Sequence, residues 1–116
     1  MEHLFFNMDG SFDEVARVVF DALGLSAGEG DSANVLGGDY RVASSLGVDI
    51  RLERNSYDYE DDYEYMLSVR KNLASSLRVA PAVAEHVSRA AAQMLADNAN
   101  VTVAREAEDG IEILQA

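Results

Sequence analysis

The chain has no cysteine among its 116 residues. Disulfides, thiolate zinc sites and cysteine nucleophiles are therefore excluded. Long apolar runs are missing too, with nothing near the roughly 20 residues a membrane helix needs. The opening Met1-Glu2-His3-Leu4-Phe5-Phe6 has neither a basic stretch nor an extended apolar core, so no export signal is expected and the expected address is the cytoplasm. Basic residues are scarce, nine against 21 acids, for a net charge of −12. Such a surface repels phosphate backbones and anionic membranes, which argues against nucleic acid or membrane as direct partners and favours a cationic one, or simple solubility. What remains is ordinary for a globular chain: 48% apolar residues, no visible repeat, and a length that suits one domain spanning residues 1–116.

The densest signal is the run Tyr57-Asp58-Tyr59-Glu60-Asp61-Asp62-Tyr63-Glu64-Tyr65, with five carboxylates, four tyrosines and no base. In an extended backbone the tyrosines share a face with Leu67 and Val69, and Asp58, Glu60, Asp62 and Glu64 line the other at roughly 7 Å intervals. Acids beside aromatics suit a basic protein surface, since tyrosine supplies contact area at low entropy cost and carboxylates steer a cationic partner. The same alternation equally describes a half-buried strand with solvated acids.

Along the chain, Leu4–Met8 reads as a strand ended by Asp9-Gly10. Ser11 and Glu14 form a capping box for a helix with Val15, Val18, Val19, Ala22 and Leu23 on its buried stripe, stopped by Gly24. Leu25 to Gly38 reads as a connecting loop rich in glycine. It lacks the P-loop lysine, and Glu29 and Asp31 oppose a phosphate. Asp39–Ser44 and Leu46–Glu53 form a hairpin, and Asp62–Lys71 a third strand. Pro81 opens a second helix carrying Val83, Val87, Ala90, Ala91, Met94 and Leu95. Asn100–Arg105 and Ile111–Leu114 flank the turn Glu108-Asp109-Gly110 as a closing hairpin. Helices separated by hairpin-linked strands predict an α+β fold, two helices on a mostly antiparallel sheet of about six strands. The expected core includes Val15, Val19, Leu23, Val48, Ile50, Leu52, Leu67, Val69, Val83, Val87 and Met94.

Nothing in the sequence assembles a catalytic centre. His3 and His86 read as flank or surface histidines, no serine sits in a G-x-S-x-G context, and Asp58-x-Glu60-x-Asp62 lacks the glycine and terminal glutamate of a calcium loop. No catalytic residue, metal site or cofactor is expected, and the chain reads as a non-enzyme.

Three segments resemble the small acidic immunity proteins of bacterial polymorphic and contact-dependent toxin systems. They are Leu4-Phe5-Phe6-Asn7-Met8 with the helix from Glu14-Val15-Ala16-Arg17 to Leu23-Gly24-Leu25, the stretch Asp31–Tyr40 with its Gly37-Gly38-Asp39-Tyr40 element, and the acidic tyrosine run. The resemblance covers roughly residues 4 to 70. It implies a non-enzymatic inhibitor that neutralises a cognate, basic toxin domain by tight binding, as a monomer or homodimer. The expected partner-binding residues are Tyr57, Asp58, Tyr59, Glu60, Asp61, Asp62 and Glu64. Tyr63 and Tyr65 are expected deeper, in the core. The competing readings are a nucleic-acid mimic that inhibits a basic nucleic-acid-binding protein, a small enzyme or ligand-binding domain using the Gly28–Gly38 loop, and a structural subunit pairing through an exposed strand edge.

Overall fold

A computed structural model describes residues 2–57, 59, 61–107 and 110–116. Seven strands form one fully antiparallel sheet: β1 (Glu2–Phe6), β2 (Gly28–Asp31), β3 (Asp39–Ser45), β4 (Val48–Arg54), β5 (Tyr65–Lys71), β6 (Val103–Ala107) and β7 (Gly110–Leu114). Their spatial order is β2-β3-β4-β5-β1-β6-β7. Two helices, α1 (Phe12–Leu23) and α2 (Ala82–Asn98), pack on one face of it. The α+β class is as expected, with seven strands rather than about six.

Local chemistry accounts for each element. Ser11 caps α1 through the Glu14 N–H (3.2 Å), and the Glu14 carboxylate accepts from the Ser11 N–H (3.2 Å), closing the capping box. Those bonds hold the Glu14 carboxyl below its usual range. Gly24 ends the helix in the left-handed conformation. Leu46 and Gly47 both adopt positive φ (55° and 76°), the geometry of a two-residue hairpin turn between β3 and β4. Along β4, Val48, Ile50 and Leu52 face the helices; on β5 Tyr65, Leu67 and Val69 do; on β1, Leu4 and Phe6. With Val15, Val19 and Leu23 they form the main core.

The extra strand is β2, inside the segment expected as a connecting loop. It pairs with β3 from Gly28↔Val42 to Asp31↔Asp39. Its glycines hid it, because glycine is a poor strand former by propensity. At Gly30 the missing side chain has a use: the Tyr40 ring covers the position, and a Cβ there would lie 2.2 Å from Tyr40 Cζ. Gly30→Ala should therefore displace the ring and lower stability by about 1–3 kcal/mol, the scale of overpacking, measurable as a drop in urea midpoint.

Other boundaries move. β5 begins at Tyr65 rather than Asp62, β1 is Glu2–Phe6 rather than Leu4–Met8, and β6 is Val103–Ala107 rather than Asn100–Arg105. On α1, Val18 is 43% exposed, off the expected stripe. The buried face of α2 is Ser88, Ala91, Ala92, Leu95 and Ala96. Val83 and Val87 pack at its edge, while Ala90 and Met94 face solvent, correcting the expectation for both. Arg105 on β6 meets this face. It is 3% exposed and points at α2, where its Nε donates to Ser88 Oγ (3.1 Å) and its Nη1 to Glu112 (3.1 Å). Small residues let the helix sit close to the sheet, and the hydroxyl of Ser88 on this face gives the buried guanidinium an acceptor.

Candidate functional site

The sheet register brings Phe6, Tyr65, Arg54, Asp39 and Asp31 to one end of the sheet. Residues 7–11, 32–38 and 55–64 connect at that end. The last holds the acidic tyrosine run up to Glu64, and none of its described residues is in a strand. Tyr59 has φ +61°, and its carbonyl accepts from the N–H groups of Asp62 (3.0 Å) and Tyr63 (2.9 Å) in a tight reversal. The expected extended strand is therefore broken at Tyr59 among the described residues.

Two asparagines hold the loop. Asn55, 5% exposed, donates through Nδ2 to the Tyr63 carbonyl (3.0 Å) and accepts at Oδ1 from the Tyr57 N–H (3.0 Å). Asn7 donates through Nδ2 to the Asp62 carbonyl (2.9 Å) and accepts from the Glu64 N–H (2.7 Å). Side-chain amides thus take backbone groups that a sheet ladder would otherwise use. Asn55→Ala should free this loop and cost about 1–3 kcal/mol, because a buried amide and the groups it serves lose their partners. Faster amide exchange at Tyr57 and Tyr63 in the variant is the measurement.

The loop folds over the sheet face that carries no helix. There His3, Phe5, Met66 and Ala104 are buried. Tyr57 lies on His3 (ring centroids 4.6 Å), Tyr59 stands edge-on to Phe5 (5.5 Å), and Tyr63 tilts over Phe5 (6.2 Å). Only Tyr65 joins Leu67 and Val69 on the helix side, where it stacks on Phe6 (5.8 Å) and burial raises its phenol's pKa. Tyr63 is half-buried, as expected of a deeper residue, but on the opposite face from Tyr65. Tyr57 and Tyr59 remain 50% and 41% exposed. Asp61, Asp62 and Glu64 are exposed beside them. Asp58 and Glu60, expected in the same surface, lie outside the described residues.

His3 departs from its expected surface role. It is 8% exposed beneath Tyr57, with Nδ1 3.0 Å from Glu106 Oε1. Its position in a strand next to Phe5 was the available signal. His86 is exposed on α2, as expected.

In the glycine-rich segment three N–H groups are engaged internally: Ser32 to the Gly38 carbonyl (2.8 Å), Val35 to the Ser32 carbonyl (3.2 Å) and Gly38 to the Val35 carbonyl (2.9 Å). The open cavity beside it, about 450 Å³, has Asp31 and Asp39 on its wall. Arg54 bonds Asp39 at 2.5 Å and holds that carboxyl below its usual range. Among the described residues no three histidine, aspartate or glutamate side chains are grouped to hold a metal ion. No helix among them is long and apolar enough to cross a membrane.

Compared with known protein families, with curated proteins and with solved structures, the chain matches none.

Proposed function

We propose that this chain is a non-enzymatic immunity protein that binds and neutralises a cognate toxin domain through the loop from Tyr57 to Glu64. The observation that carries the reading is the seating of Tyr57 and Tyr59. Each ring rests on a buried ring of the sheet and still has about half of its surface in water. Aromatic side chains held in this way lose little entropy on binding. Asp61, Asp62 and Glu64 surround them without a salt bridge among the described residues, so their charge is available to a basic surface. Their confinement to one loop fits a compact cationic cleft better than the long double row of phosphates that a nucleic-acid mimic copies. Asp58 and Glu60 belong to the same proposed surface by sequence.

The decisive experiment is capture from the native host with the chain as bait, followed by kinetics against the captured protein. The expected partner is a basic toxin domain whose activity stops on binding. Replacing Asp58, Glu60, Asp61 and Asp62 together by alanine should slow association by roughly tenfold or more at low salt, with a smaller effect at high salt, because rim charges act on encounter. The fold should be as stable or slightly more so, since like charges crowd this loop. An unchanged association rate and affinity would move the interface away from this loop.

A further inference from the structure

Between the 32–38 connection and Tyr57 lies a cavity of about 280 Å³. Its floor is the face of β4 and β5 turned away from the helices. Alternation puts Arg51 and Glu53 of β4 there, with Met66, Ser68 and Arg70 of β5, because Ile50, Leu52, Leu67 and Val69 point into the core. Arg51 stands directly opposite Ser68 in the ladder.

The charges on this floor do not balance. Arg51 lies over the Tyr40 ring at 3.9 Å, with Nε 3.2 Å from Glu53 Oε2, so Glu53 is matched. His3, on the wall, faces Glu106. Arg70 has no such partner. It is half-buried, and among the described residues it makes no ion pair or hydrogen bond, in a chain with 21 acids. Asp49, its cross-strand neighbour, accepts instead from the Ser44 hydroxyl at 2.6 Å. Ser68 is 4% exposed as a residue, and its hydroxyl, which forms no hydrogen bond among the described residues, keeps its contact with solvent in the cavity. The buried Arg51 Nε makes none with good geometry either. The Arg70 guanidinium and the Ser68 hydroxyl face the solvent of the cavity with no protein partner among the described residues, and an anion there would replace water on both.

We propose that this cavity binds a small carboxylate, with Arg70 and Ser68 as its anchors. Two residues apart on one strand face, their Cβ atoms are roughly 7 Å apart, a span that a carboxylate bridges through the long arginine side chain. A planar carboxylate matches the guanidinium fork. Met66 and Tyr57 offer apolar wall for its body. Its anchors Arg70 and Ser68 belong to β5 and not to the acidic loop, so the site rests on other residues than the toxin-binding reading, with Tyr57 bordering both.

Titration of the ¹⁵N-labelled chain with benzoate, and separately with inorganic phosphate, tests it. Benzoate is expected to shift the Ser68, Val69 and Arg70 amides saturably. Arg70→Gln should weaken it at least about tenfold, the scale of a lost charge-assisted bond, and Ser68→Ala by about threefold, that of a neutral one. Arg70→Lys, which keeps the charge and loses the fork, should fall between wild type and Arg70→Gln. The spectrum outside β5 reports the fold of each variant. If Arg70→Gln does not fold, Ser68→Ala carries the test. The proposal is overturned by absence of saturable shifts on β5, by benzoate binding that the folded variants leave unchanged, or by phosphate binding at the same amides as tightly as benzoate.

Discussion

Tyr59→Ala should weaken the complex with the partner by at least about 2 kcal/mol, roughly thirtyfold, expressed mainly as faster dissociation. Tyr59 stands edge-on to Phe5 and offers the rest of its ring to solvent. A partner that covers it desolvates an apolar surface already fixed in place. Folding stability should change by less, about 1 kcal/mol, because the lost intramolecular contact is one aromatic pair. The positive φ at this position is retained by alanine, so the backbone strain is common to both proteins. Tyr59→Phe should bind nearly as wild type if the ring is the anchor. Tyr57→Ala should behave like Tyr59→Ala, with His3 newly exposed beneath it. Surface plasmon resonance on folded variants is the measurement. Unchanged dissociation for both alanine variants would remove the tyrosines from the interface.

Arg105→Ala should destabilise the fold by about 2–4 kcal/mol, while Arg105→Met should fall within about 1 kcal/mol of wild type. The guanidinium lies between β6 and α2, with Glu112 at 3.1 Å, Glu85 at 3.7 Å and Glu2 at 4.0 Å. Alanine leaves a void there and three carboxylates without their common cation. Methionine fills most of the space. The acids can then turn to water, since their side chains are 26–51% exposed already. Urea titrations should show the two variants separated in midpoint with a common slope. Equal losses for both would mean that the charge, not the packing, holds α2 to the sheet.

Most of the helix-side core was legible in the sequence because its signals are local. The capping box of α1, the alternation of Val48, Ile50 and Leu52, and the Leu46-Gly47 turn each depend on residues within one element or its ends. Pro81 likewise stands immediately before α2, which runs from Ala82. Signals of this kind are enough to set two helices against an antiparallel sheet.

The candidate site was legible in composition but not in shape. Tyrosine and acid alternate from Tyr57 to Glu60 whatever the backbone does, and the period alone favours a strand. What turns the chain back at Tyr59 is a set of amide bonds from Asn7 and Asn55, and Asn7 reaches Asp62 and Glu64 from more than 50 positions away. The aromatic residues under the tyrosines, His3 and Phe5, come from the first strand, more than 50 positions away. β2 was hidden for a similar reason, since Gly30 makes sense only beneath the Tyr40 ring. The inward face of α2 meets a buried arginine that comes from another strand. By itself the sequence determined the fold class, the core of β4 and β5, and the acidic tyrosine character of one loop, because these follow from period and capping. Only the tertiary structure decided which rings that loop rests on, which face of α2 is inside, and that Arg70 has no counterion among the described residues, because each depends on side chains that meet across the sheet.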